Sequence, residues 1–145
     1  LSIQAKRNLS GWEAYYDNGR EHSYKDAVEW AKIGEELGAG EIVLTSVDNE
    51  GTQKGFDLDL TKKIVNLVNI PVIASGGMGK LEHLSQLINE TGVDAIAIAH
   101  ALHHNKISIN EIKRILIIIV LVPYLIYLFY FLLRANLQTY REYHL

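Results

Sequence analysis

The stretch GAGEIVLTSVDNEGTQKGFD, residues 38–57, decides the fold class. Its middle, GEIVLTSV (40–47), is a short apolar run opened by Gly38-Ala39-Gly40, the signature of a strand buried on both faces in a parallel sheet. Two more such runs follow, IPVIAS at 70–75 and VDAIAIA at 93–99, and Ser2-Ile3-Gln4-Ala5 reads as the stump of another. Helical periodicity fills the gaps. Residues 24–37 (YKDAVEWAKIGEEL) put Ala27, Val28, Ala31 and Leu37 near one face and stop at Gly38, a natural C-terminal cap. A second helix is expected over 57–68, starting at Asp57 and carrying Leu58, Leu60, Ile64, Val65 and Val68. A third is expected over 80–91, with Leu81, Leu84, Leu87 and Ile88 at helical spacing and Gly92 at its end. Strand and helix alternating in this way predict βαβ units with a helix-covered parallel sheet. Both a doubly wound sheet and a (β/α)8 barrel satisfy the pattern.

In such folds chemistry sits beyond the carboxyl ends of the strands. Here those ends read TSVDNEGTQKGFD (45–57), SGGMGK (75–80) and AHALHHNK (99–106). Gly76, Gly77 and Gly79 let backbone N–H groups approach an anion at a loop that leads into a helix. No GxGxxG or GxxxxGK[ST] occurs, so the dinucleotide fingerprint and the Walker loop are both missing. A glycine-rich turn after one strand, followed by a short loop after the next, is instead how the last two strands of a TIM barrel build a phosphate site. His100, His103 and His104 lack a matched carboxylate, so neither a metal site nor any other cofactor is expected. The segment WEAYYDNGREHSY, with Trp12, Tyr15, Tyr16 and Tyr24, reads as a hairpin turning at Asp17-Asn18-Gly19, either a structural flap or a substrate gate.

Composition narrows the partners. The 145 residues are 48% hydrophobic and 21% charged, with a net charge of -3 and no cysteine. Scattered Lys and Arg argue against nucleic acid, and the lack of cysteine excludes disulfides and thiolate metal sites. No signal peptide is visible before the first strand, and an opening on Leu1 suggests a cut N-terminus. From Ile115 to Leu133 the sequence ILIIIVLVPYLIYLFYFLL carries no charge over 19 residues. At about 1.5 Å per residue a helix of this length approaches the roughly 30 Å bilayer core. The chain therefore divides into an α/β region at 1–114, an apolar helix at 115–133 and a polar tail at 134–145. The apolar stretch reads as a membrane anchor, the product of a shifted reading frame, or an oligomer interface.

Taken together, GAGEIVLTSVDNEGTQKGFD (38–57), IPVIASGGMGKLEHL (70–84), GVDAIAIAHALHHNKISINEIK (92–113) and the opening SIQAKR (2–7) resemble the cyclase subunit of imidazole glycerol phosphate synthase. The resemblance spans about residues 2–114 nearly without gaps. It implies strands five to eight of a (β/α)8 barrel, the C-terminal half, since an intact barrel needs about 250 residues. It further implies a lyase-type enzyme of histidine biosynthesis. Ammonia from a glutaminase subunit attacks a phosphoribulosyl-formimino-aminoimidazole carboxamide ribonucleotide, giving imidazole glycerol phosphate and aminoimidazole carboxamide ribonucleotide. That chemistry uses two carboxyl groups as general acid and base, one on the first strand and one on the fifth. Where the family reads I-D-A-K-R, this chain reads Ile3-Gln4-Ala5-Lys6-Arg7, and Gln4 carries no titrating proton.

By the same resemblance, Thr45, Asp48, Gly51 and Thr52 lie near substrate, and Ser75, Gly76 and Gly77 form the phosphate loop. Ala99 and His100 complete that loop, His100 standing where the family more often has serine, and Glu41 belongs to a charged ammonia gate at the foot of the sixth strand. The partners implied are the glutaminase subunit, the phosphorylated ribonucleotide, and either a missing N-terminal half-barrel or a second copy. A cytoplasmic location follows, membrane-tethered if the apolar stretch is a true span. Two other functions fit the residues: a cyclase-like subunit of an amidotransferase for amidino-sugar and surface polysaccharide synthesis, to which Gln4 and the hairpin lean, and a non-catalytic phosphate-binding fragment.

Overall fold

The computed structural model describes residues 1–119 and 121. The chain divides into two units, Leu1–Ser108 and Ile109–Leu145. The first unit opens with strand β1 (Ser2–Arg7), followed by a hairpin of β2 (Trp12–Tyr16) and β3 (Glu21–Asp26). Then α1 (Ala27–Glu36), β4 (Ile42–Ser46), α2 (Leu58–Leu67), β5 (Val72–Ser75), α3 (Leu81–Thr91), β6 (Ala95–Ala97) and a single turn, α4 (His100–His103), alternate along the chain. In the second unit residues 109–119 are helical. Most of the apolar stretch expected to span a membrane, 115–133, and all of the polar tail at 134–145 lie outside the described residues. Among the described residues no helix is long and apolar enough to cross a membrane.

One mixed sheet has the order β3-β2-β1-β4-β5-β6. The parallel strands β1, β4, β5 and β6 stand in chain order, without the reversal that defines a doubly wound sheet. That order is consistent with part of a barrel wall. The expected strands are all present, and the hairpin turns where the sequence places it, with Asp17, Asn18 and Gly19 all at positive φ.

Side-chain caps fix the starts of α1 and α2. The Asp26 carboxylate accepts the N–H groups of Val28 and Glu29 at 2.9 Å each, which puts the start of α1 at Ala27 instead of residue 24. Tyr24, Lys25 and Asp26 belong to β3, whose pairing with β2 overrides their helical periodicity. Asp57 caps α2 through Leu60 N–H at 3.1 Å and also accepts the Trp12 indole N–H at 2.8 Å, tying the hairpin to the helix layer. Gly92 ends α3 in the left-handed conformation that favours glycine.

Pairing register fixes which side chains share a face. Ile3 lies beside Leu44, and Leu44 beside Ala74, and all three are buried. Together with Ala5, Ile42 and Val72 they form the side of the sheet that packs with Leu60 and Ile64 of α2 and Leu84 and Leu87 of α3 into the core. The alternate residues face the other way: Val43 and Ile73 lie in one row and Gln4, Thr45, Ser75 and Ala97 in the next, all half-buried. Leu44, 2% exposed, sits at the centre of the buried side. Leu44→Ala should lower stability by about 2–5 kcal/mol, as deletion of a buried leucine side chain does in packed cores, measured by urea unfolding.

Candidate functional site

Three loops meet beyond the carboxyl ends of β4, β5 and β6. Gly76 and Gly77 hold φ values of +96° and +103°. Any side chain there would also collide: a Cβ on Gly76 would come 2.8 Å from the Ser46 carbonyl oxygen, and one on Gly77 would overlap the Gly55 carbonyl. The β5 loop thus presses directly on the β4 loop. Gly55 N–H donates to the Gly77 carbonyl at 2.9 Å, and the Asn49 amide donates to the Gly55 carbonyl at 2.8 Å. Gln53, at φ +62°, carries the linkage onward. Its amide nitrogen lies 2.9 Å from His100 Nε2, and its amide oxygen accepts from the Lys106 ammonium.

The result is a small, shallow recess lined by Glu50, Ser75, Gly76, Gly77, Ala99 and His100, among others. Its floor is mostly backbone and small side chains, its rim the His100 imidazole, the Ser75 hydroxyl and the Glu50 carboxylate, whose charge opposes an anion placed close to it. Such a surface can cradle a small anionic group by N–H and O–H donation. Five of the residues the sequence singles out are brought together here: Ser75, Gly76, Gly77, Ala99 and His100. Thr45 stands one strand over, beside Ser75 in the open row, and Gln4 follows beside Thr45. The Gln4 Oε1 atom is buried and has no hydrogen-bond partner.

The others stand apart from the recess. The Asp48 carboxylate accepts the Arg7 N–H at 2.7 Å, fastening the β4 loop to the end of β1. Gly51, at φ +71°, and Thr52, whose hydroxyl donates to the Asn49 carbonyl at 2.8 Å, are exposed on the outer bend of the loop. Glu41 is exposed at the opposite, amino end of β4. The His104 ring lies tilted against His100 and edge-on to His103, at centroid distances of 4.4 and 5.0 Å. Among the described residues no cluster of His, Cys, Asp or Glu is arranged to hold a metal ion. Asn49 and Gln53 lie in the loop after β4 that the sequence points to, but nothing in their residue types singles them out within it. Their roles arise from contacts between loops that are distant in the chain.

His83, buried on α3, braces the same loop from below. Its Nδ1 accepts the Gly79 N–H at 3.2 Å. Burial first, then the charge of Lys80, holds this imidazole below the ordinary histidine range. The folded chain therefore binds a proton at His83 less readily than the unfolded chain. The associated stability is present above the ordinary histidine pKa, about 6.5, and is lost as pH falls through the lower folded value. Thermal melts should show a midpoint that drops between about pH 7 and about pH 5, with a smaller drop in His83→Phe, which has no such proton to bind.

A sequence profile of the histidine biosynthesis protein family matches residues 1–108. Among curated proteins the chain is similar to imidazole glycerol phosphate synthase subunit HisF of Prochlorococcus marinus (strain MIT 9312), 50% identical over 120 residues, covering 81% of this chain and 47% of that protein. The subunit HisF of Legionella pneumophila is 63% identical over 86 residues, 59% of this chain and 41% of that protein. That of Pyrococcus furiosus is 51% identical over 116 residues, 80% and 46% respectively. The chain thus spans about half the length of the curated relatives it matches. The profile match stops short of the apolar stretch at 115–133. With a fold of alternating strands and helices, a glycine-built recess at the strand ends and a profile match over the whole first unit, the chain belongs to the histidine biosynthesis protein family.

Proposed function

We propose that this chain supplies strands five to eight of a (β/α)8 barrel, and that the whole protein is the cyclase subunit of imidazole glycerol phosphate synthase. Its reaction joins ammonia, delivered by a glutaminase subunit, to a phosphoribulosyl-formimino-aminoimidazole carboxamide ribonucleotide, closing the imidazole ring and releasing aminoimidazole carboxamide ribonucleotide. The observation that carries this reading is the recess over β5 and β6, where Gly76 and Gly77 leave no room for side chains and Ser75 and His100 supply polar rim groups. One substrate phosphate sits there, on the backbone N–H groups of the loop. The chain of the substrate then crosses the open row past Thr45 to Gln4, which lines the site. Asp48 shapes that end by holding the Arg7 backbone. Gly51 and Thr52 lie on the outer bend and contact substrate only when the β4 loop folds inward. Glu41, at the foot of the sheet, belongs to the ammonia entrance.

The half-buried apolar row of Val43 and Ile73 supports closure of this face by further barrel strands, contributed by the rest of the protein or by a second copy. The replacement of a carboxyl group by Gln4 favours a second reading, a cyclase-like subunit of an amidotransferase that makes amidino sugars for surface polysaccharides.

The test is turnover of the histidine-pathway ribonucleotide by the full-length protein with ammonium salt as nitrogen donor. Formation of imidazole glycerol phosphate supports the first reading; its absence, with the substrate still bound, overturns that reading. Within the site, Gly77→Ala forces a Cβ onto the Gly55 carbonyl and should weaken binding of imidazole glycerol phosphate at least tenfold in calorimetry. Ser75→Ala removes one donor to a charged group, worth about 1.5–3 kcal/mol, and should weaken it by about 10- to 100-fold.

A further inference from the structure

The row that runs Ala97, Ser75, Thr45, Gln4 does not end at β1. Gln4 pairs with Tyr15 of β2, and Tyr15 pairs with His22 of β3, so both present their side chains to the same face of the sheet. There three groups are chained together. The Glu13 carboxylate accepts the Tyr24 N–H at 2.8 Å and faces His22 Nδ1 at 3.1 and 3.2 Å. On the other side of the ring, His22 Nε2 lies 3.2 Å from the Tyr15 hydroxyl. A carboxylate only accepts, so Nδ1 carries a proton. Nε2 of the neutral ring is then the acceptor, and the phenol donates to it.

Backbone and stacking hold this arrangement. The β2–β3 register shifts between Ala14 and Tyr15, and Tyr24 takes φ +59°, a conformation that bulky side chains rarely adopt. The shift is what sets His22 opposite Tyr15 while turning the Tyr24 N–H onto Glu13. The His22 ring lies between two aromatic rings, Tyr15 at 4.6 Å and Tyr24 at 5.6 Å. A carboxylate that orients an imidazole, which in turn acts on a hydroxyl, is the general form of an acid–base relay.

We propose that Tyr15, backed by His22 and Glu13, is the proton donor and acceptor at the Gln4 end of the row. This rests on the cyclase reading, in which that end of the face performs acid–base chemistry that Gln4 cannot. In the donating direction the Tyr15 O–H bond breaks toward a substrate nitrogen, and the phenol oxygen regains a proton from Nε2 of the His22 imidazolium. In the accepting direction the Tyr15 proton passes to neutral Nε2 while its oxygen takes the proton leaving the substrate. Glu13 stays ionised throughout, its carboxyl held below the ordinary range chiefly by the Tyr24 N–H, with His22 adding to the effect. Partial burial, then the charges of Glu13 and Asp48, push the Tyr15 phenol up, so it keeps its proton near neutral pH and releases it only as the His22 ring supplies another. The charged and titratable groups that face Tyr15 are Lys6 of β1, Glu13 of β2, His22 and Tyr24 of β3, and Asp48 of the β4 loop.

The experiment uses the full-length protein with the histidine-pathway ribonucleotide and ammonium salt. Tyr15→Phe keeps the ring and its stacking while removing the proton. It should lower kcat by about 100-fold or more, the range general acid–base groups supply, with KM little changed. His22→Gln should lower kcat and abolish one limb of the pH profile. The double variant Tyr15→Phe/Gln4→Asp should regain part of the lost rate, because a carboxyl group on the same row replaces the phenol. Parent-level kcat with an unaltered pH profile in both Tyr15→Phe and His22→Gln would overturn the relay while leaving the cyclase reading standing. A rise in KM alone would also overturn it, by making Tyr15 a binding group. A parent protein that binds the ribonucleotide but never turns it over overturns the cyclase reading, and the relay with it.

Discussion

The pleat of the parallel strands governs everything else in the first unit. Successive side chains point to opposite faces, so burying Ile3, Ile42, Leu44, Val72 and Ala74 beneath the helices compels Gln4, Thr45 and Ser75 to stand together on the other side. The hydrophobic core and the polar row are therefore one constraint seen from two faces. A slip of one residue in any strand would bring Thr45 or Ser75 under the helices and Leu44 or Ala74 into the row, at the cost of the core. This coupling makes the position of the polar row as secure as the core itself.

What the row can do depends on its ends. At one end the backbone approaches so closely that glycine is required, and the β4 and β5 loops lock through Gly55, Gly77 and Asn49. Such a surface binds by fixed N–H donors and is suited to a group that must be held still. At the other end Tyr15, His22 and Glu13 form a chain of titratable groups on a hairpin, suited to moving a proton. In the proposed reading, an anion seat and a proton relay set apart along one register line would hold the two ends of a phosphorylated substrate. His100 and Lys106, joined through Gln53, tie the last strand's loop into the seat.

Much of this was legible in the residues. Apolar runs, glycine punctuation and the caps at Asp57 and Gly92 mark the elements, because each is a local consequence of backbone chemistry. The glycine loop after the apolar run at 70–75 marks the recess for the same reason. What the sequence conceals is produced by contacts between distant segments. Residues 24–26 look helical and are drawn into a strand by pairing with β2. The bond from the Arg7 N–H to the Asp48 carboxylate joins segments 41 residues apart and has no local signature. Neither the bridging of Gln53 to His100 nor the meeting of Tyr15 with His22 has a local signature. The second of these needs a register shift in the hairpin, which no pattern of residue types announces.

In the proposed function the open face, with Gln4, Thr45 and Ser75 in line, is the surface along which a phosphorylated substrate lies. A crystal structure of the full-length protein with imidazole glycerol phosphate bound tests this most directly. The account predicts the phosphate on the Gly76 and Gly77 N–H groups beside Ser75 and His100, with the imidazole end directed along the row toward Gln4 and Tyr15. A ligand bound elsewhere, or an open face filled by the protein's own side chains with no space over that row, would contradict it.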